Sequence, residues 1–168
     1  MSGIPTPNVD IQWATDAPDA PDETDLRRWA RTAVEVAGGV VGEITLRIVD
    51  DDEIRALNLQ YRGHDKPTNV LSFPFDMPEG LPQDVVAPLL GDIVISAPLV
   101  RREAQHQHKL LDAHWAHMVT HGVLHLLGYD HIEDEDAELM EALEIRALAE
   151  HGYPDPYNTS FHSTELDP

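Results

Sequence analysis

Ten of the 168 residues are histidine, and four of them are spaced as if to share one helix face. His114, His117, His121 and His125 follow at intervals of 3, 4 and 4, which returns each side chain to nearly the same side of a helix. His121 and His125 form an i, i+4 pair, so their imidazoles lie one above the other and reach a single ion. Gly128 lets the chain leave the helix and double back, and His131 follows shortly after. H-x3-H-x5-H across a helix end describes three nitrogen ligands with a fourth position open, the arrangement a catalytic metal requires. A pair at i, i+4 also arises by chance; the third histidine beyond the glycine turn is what makes metal the preferred reading. Three imidazoles suit one zinc ion per chain and are compatible with nickel. The expected nitrogen–metal distance is about 2.0–2.1 Å.

Gly122 follows His121 directly. Peptidases of the H-E-x-x-H type place a glutamate there as general base. Without it, a zincin-like metallopeptidase is the disfavoured alternative.

The elements that must carry these residues alternate between strand and helix patterns. VDIQW (Val9 to Trp13) reads as a short strand. Asp22 to Ala37 reads as a helix with Thr24 as N-cap and Leu26, Trp29, Ala30 and Val34 as its apolar stripe. GEITLRIVD (Gly42 to Asp50) alternates with period two, setting Ile44, Leu46 and Ile48 on one face. Asp51 is the expected cap of a helix over 52–61, buried through Ile54, Leu57 and Tyr61. RGHDKPT (Arg62 to Thr68) is a polar loop, and NVLSFPF a strand that Pro74 pushes to a sheet edge or a bulge. Asp76 to Leu90 is expected as a surface loop, GDIVIS (Gly91 to Ser96) as a strand, and Pro98 as the opening of a helix. Helices then follow over Leu110–Leu127 and Glu133–Glu150, the second with Leu139, Met140, Leu143 and Leu148 inward. The expected architecture is a single α+β domain over residues 9–150, a small mixed β-sheet packed against several helices with a zincin-like metal site on a central helix. Residues 1–8 and 151–168 are expected to be mobile tails.

Composition narrows the class. Hydrophobic residues at 42% fit a folded globule, and with no cysteine there is neither a disulfide framework nor a thiolate metal site. No apolar run is long and unbroken enough for a membrane span, and MSGIPTPNVD lacks the pattern of a signal peptide. The expected setting is the cytoplasm, without a membrane partner. The formal charge of −20 argues against nucleic-acid binding at first sight. The acid concentrates at the two ends, however, while ten of the eleven basic residues lie between Arg27 and Lys109. Net charge therefore speaks to solubility more than to the site.

HGVLHLLGYDH (His121 to His131) resembles the signature of the YbeY family of metal-dependent endoribonucleases, also called the rRNA maturation factor family. YRGHDKPTNVLSFPF (Tyr61 to Phe75), LGDIVIS (Leu90 to Ser96) and HWAHMVTHG (His114 to Gly122) extend the resemblance, in order, over roughly Val40 to Glu150. It implies zinc held by His121, His125 and His131, and single-strand RNA cleavage in rRNA processing, at the 3′ end of small-subunit 16S rRNA, and in ribosome quality control. It places the small ribosomal subunit among the partners, with a basic ribosomal protein or an assembly GTPase as candidates. One departure stands out: the family pattern carries an aspartate ahead of VLSFP, where this chain has Asn69.

A phosphodiester is anionic, so its hydrolysis needs a nucleophile and positive charge against the phosphoryl oxygens. A metal on neutral imidazoles keeps its full double charge and lowers the pKa of bound water or polarises a phosphoryl oxygen, which gives His121 a catalytic as well as a ligating role. Arg62 is the candidate clamp opposite the metal, because a guanidinium grips phosphate bidentately; the competing reading is a plain helix C-terminal residue. The resemblance supports the first. Lys66 is a candidate phosphate contact, so the metal mouth is expected to be locally neutral or positive. Asp130 either orients an imidazole or makes the turn after Gly128. His114 and His117 either support the ligating rings, face substrate, or simply pack. Asp92 reads as a support or a strand entry, Ser72 as a nucleophile without a visible base, and Trp115 and Tyr129 as base-stacking or packing residues. His106, His108, His151 and His162 read as solvated. The remaining alternative is a non-catalytic ribosome-assembly factor with a structural metal, docking through the acidic last helix.

Overall fold

A computed structural model describes residues 5–75, 89–129 and 134–157. Four strands form one mixed sheet in the order β1-β2-β4-β3: β1 (Asn8–Ala14), β2 (Glu43–Val49), β3 (Val70–Pro74) and β4 (Leu89–Ser96). β1, β2 and β4 run parallel, with Ile11 opposite Leu46 and Leu46 opposite Ile93; β3 joins β4 antiparallel with Ser72 opposite Ile93. Pro74 cannot donate to a ladder, and β3 is accordingly an edge strand.

The alternation in β2 and β4 gives the sheet two apolar faces. Ile44, Leu46, Ile48, Ile93 and Ile95 point to one side, where α1 (Glu23–Val36), α4 (Leu111–Leu126) and α5 (Asp134–Glu150) form the main core around Trp29 and Trp115. α3 (Ala97–His106) adds Ala97 and Val100 to it. Val49, Leu71 and Val94 point the other way, onto Ile54 of α2 (Asp51–Arg62). α4 is buried over most of its length, as a helix with apolar residues on every side must be.

Some expectations shift. The N-cap of α1 is Asp22, whose carboxylate accepts the Asp25 N–H at 2.9 Å; Thr24 already lies inside the helix. In α2 the expected burial of Tyr61 fails, since it is 60% exposed with its ring edge-on to Phe73, and Leu57 is half-buried. Asn58 takes the inward place one turn after Ile54, because its amide donates to the Lys66 carbonyl at 2.9 Å and so holds the following loop. In α5, Leu139 is exposed and Leu143 only half-buried, while Met140, Glu144, Ala147 and Leu148 face inward.

The folded part also passes both expected boundaries. At the start, the Pro5 carbonyl accepts from Val40 and the Asn8 N–H donates to Gly42. At the end, Tyr153 packs on the main core and Tyr157 reaches the side of α4. His151 is half-buried rather than solvated, and burial holds its imidazole below the usual histidine value. Leu89 and Leu90 belong to β4, not to the preceding loop; the rest of that loop, 76–88, lies outside the described residues, as does His162. Among the described residues, no helix is long and apolar enough to cross a membrane.

Candidate metal centre

α4 approaches the sheet so closely at Gly122 that a Cβ there would lie 2.7 Å from Ile93 Cγ2 and 3.2 Å from Val70 Cγ2. Ser72 donates its hydroxyl to the Gly122 carbonyl at 2.8 Å, so it braces the helix, and among the described residues it has no hydrogen bond to a base. The histidines turn to other partners than the sheet: His114 to α3, His117 and His121 to α5, and His125 to the chain leaving α4. Their rings succeed one another along α4, with centroids 6.3, 6.4 and 5.9 Å apart.

The four rings divide by which nitrogen they commit. His114 directs Nε2 to Glu103 at 2.9 Å, and His117 directs Nε2 to Glu144 at 3.2 Å. His121 instead directs Nδ1 to Glu144 at 2.7 Å, and His125 directs Nδ1 to the Tyr129 carbonyl at 2.8 Å. A carboxylate or carbonyl only accepts, so the ring nitrogen facing it carries the proton. In the neutral rings, the lone pair then sits on Nδ1 of His114 and His117, where it is buried, and on Nε2 of His121 and His125. Metal-ligating histidines characteristically donate the other ring N–H to a carboxylate or a backbone carbonyl. The donor chemistry of His121 and His125 thus fits a cation, and that of His114 and His117 fits support.

Glu144 is fully buried. Burial alone would raise its carboxyl, but hydrogen bonds from His117 and His121 outweigh it and hold the group at about 2. The Tyr157 hydroxyl donates to the same oxygen that His117 reaches. Burial pushes the His117 imidazole below its usual value despite the neighbouring carboxylate. Near the start of α4, His114 reaches Glu103 of α3, which also accepts from the Asn69 amide at 3.1 and 3.2 Å. Asn69 therefore acts as a neutral donor to Glu103.

Among the described residues, no third histidine or carboxylate joins His121 and His125 in a metal cluster. His131 and Asp130 lie outside the described residues. Arg62 is the last residue of α2, exposed and, among the described residues, without a hydrogen bond or ion pair. Lys66 is exposed in the loop after it, and Asp92 is exposed on β4. Trp115 is buried in the main core, which excludes base stacking; Tyr129 is half-buried and contributes its carbonyl.

Glu144, Tyr157 and Glu103 were not legible as site residues. For Glu144 a signal existed: it sits four residues after Met140 and four before Leu148, an acid on an otherwise apolar stripe. Tyr157 had none, because its place depends on how the chain turns back after α5.

Fold and site together define a class: a small single-domain α/β protein that presents from a buried helix a histidine pair braced by a buried carboxylate and a backbone carbonyl. The model of the family described as endoribonuclease YbeY matches residues 11–152. The chain is 68% identical over 168 residues to the endoribonuclease YbeY of Alcanivorax borkumensis, covering 100% of this chain and 96% of that one. It is 56% identical over 149 residues to that of Pseudomonas entomophila, covering 89% and 92%. The solution structure of TM1509 from Thermotoga maritima superposes with a TM-score of 0.57 at 27% identity, covering 84% of this chain and 87% of the other. This chain belongs to the endoribonuclease YbeY family.

Proposed function

We propose that this protein is a zinc-dependent endoribonuclease that cleaves single-stranded RNA during rRNA processing, at the 3′ end of small-subunit rRNA, and in ribosome quality control. Family membership supports the reaction class, and relatives of high identity carry the name endoribonuclease. The observation that carries the metal is the division of ring nitrogens on α4: His121 and His125 commit Nδ1 to protein acceptors, whereas His114 and His117 commit Nε2. His121, His125 and His131 would hold the ion, which when bound supplies the Lewis acidity that phosphodiester hydrolysis needs.

The rest of the work falls to side chains. Arg62 is free of protein partners among the described residues and carries a planar fork suited to two phosphate oxygens. Lys66, exposed on the adjoining loop, adds charge for the backbone of the strand. Gly122 is where a peptidase would need its glutamate, and that position faces Ile93 of the sheet rather than solvent. The acidic surface suits a cytoplasmic protein that meets the small subunit, a basic ribosomal protein or an assembly GTPase through local contacts rather than a general affinity for nucleic acid.

The test is metal analysis of the purified protein with cleavage of an rRNA fragment before chelation, after it, and after zinc is returned. Cleavage should disappear with the metal and come back with zinc. Undiminished cleavage by metal-depleted protein would overturn the proposal, and so would metal-loaded protein that binds the fragment without cutting it.

A further inference from the structure

A buried carboxylate is costly unless every acceptor position is satisfied. Glu144 finds three donors for its two oxygens, none of them a lysine or arginine, among the described residues. Oε2 accepts from His121 Nδ1 at 2.7 Å; Oε1 accepts from His117 Nε2 at 3.2 Å and from the Tyr157 hydroxyl. Its neighbours along the inward side of α5, Met140 and Leu148, are both buried, so the position is part of the packed interface with α4. For packing alone, an apolar residue would serve better there. What the carboxylate adds is direction: it only accepts, so it dictates where each imidazole carries its proton.

The consequences differ for the two rings. His121 must carry its proton on Nδ1, which leaves Nε2 as the nitrogen able to ligate. His117 has Nε2 committed to Glu144 and Nδ1 buried, so neither nitrogen is placed to ligate. Tyr157 comes from the stretch after α5, and its hydroxyl meets both Glu144 and, at 3.3 Å, His117 Nε2. His117 and Tyr157 therefore grip one oxygen while the other is presented to His121.

We infer that Glu144 is the positioning residue of the metal centre: it sets the tautomer and orientation of His121, with His117 and Tyr157 holding its carboxylate rather than touching metal or RNA. This rests on the metal reading proposed above. Removing such an outer partner typically lowers metal affinity by about 10–100-fold.

The experiment compares the full chain with Glu144→Gln and Tyr157→Phe. Zinc affinity is measured by competition with a chromophoric chelator. Imidazole tautomers in the metal-free proteins are read from their nitrogen-15 shifts, and folding is checked by melting. Glu144→Gln should weaken zinc by about 10–100-fold and convert His121 to a mixture of tautomers, leaving His125 unchanged. Tyr157→Phe, which removes only a hydroxyl, should weaken zinc in the same direction by a smaller factor. If Glu144→Gln does not fold, Tyr157→Phe decides alone. Zinc affinity within twofold of the parent and an unchanged His121 tautomer, in whichever variants fold, would overturn the inference. Failure of the parent protein to bind zinc would instead overturn the metal reading, and the tautomer shift would still report whether Glu144 orients His121.

Discussion

Replacing Gly122 with alanine tests how tightly the histidine helix is seated. The added Cβ would lie 2.7 Å from Ile93 Cγ2, 3.2 Å from Val70 Cγ2 and 3.5 Å from Ser72 Oγ. Carbon atoms prefer about 3.5–4.0 Å, so roughly 1 Å must be found at the first contact. Ile93 cannot supply it by rotation, because it is fully buried in the sheet and β-branched. The helix itself must retreat. Overpacking of this kind costs about 1–3 kcal/mol, and alanine returns about 0.8–1.0 kcal/mol of helix propensity. The net expectation is a loss of about 1 kcal/mol, or about 2–4 °C in melting temperature for a chain of this size. Zinc affinity should fall alongside it, since His121 precedes Gly122 and moves with the helix. Scanning calorimetry and chelator competition on the same preparation measure both. A melting temperature equal to or above the parent's would refute the reasoning, because propensity would then have prevailed and α4 could not be held so close to β3 and β4.

The same geometry predicts that Gly122→Glu, which recreates the H-E-x-x-H spacing, loses more than about 4 kcal/mol or does not fold, since it drives a carboxylate into Ile93; a folded variant with peptidase activity would refute this. Arg62→Ala should leave melting and zinc content nearly unchanged, as the side chain makes no hydrogen bond or ion pair among the described residues. Single-turnover RNA cleavage by that variant should drop by about 10²–10³, with partial recovery in Arg62→Lys; undiminished cleavage would remove Arg62 from the site. Asn69→Asp should destabilise the protein by about 1–3 kcal/mol at pH 7, because a carboxylate would replace the amide that donates to Glu103. Burial works to raise Glu103, but the hydrogen bonds from His114 and Asn69 outweigh it and hold it below the usual carboxylate value. A second acid beside it raises the pair in the folded state, so the penalty is present above the unfolded carboxylate range and fades as pH falls toward about 4. Equal melting deficits at pH 7 and pH 4 would contradict that account.

Much of this architecture is written in local periodicity. The alternation of Ile44, Leu46 and Ile48 marks β2, Pro74 marks an edge strand, and the intervals of the histidines put them on one face of α4; each follows from backbone geometry within a few residues. Local pattern also misled where a polar residue took an apolar place, as Asn58 does in α2, because a hydrogen bond to a distant carbonyl makes its burial affordable. Which ring nitrogen each histidine commits is a different kind of fact. It depends on Glu103, Glu144 and the Tyr129 carbonyl, and Glu144 lies 23 residues from His121 on another helix. The sequence determined that four imidazoles share a side of one helix. Tertiary packing decided that His121 commits Nδ1 while His114 and His117 commit Nε2, because a tautomer answers to the partner that the fold brings within hydrogen-bonding distance.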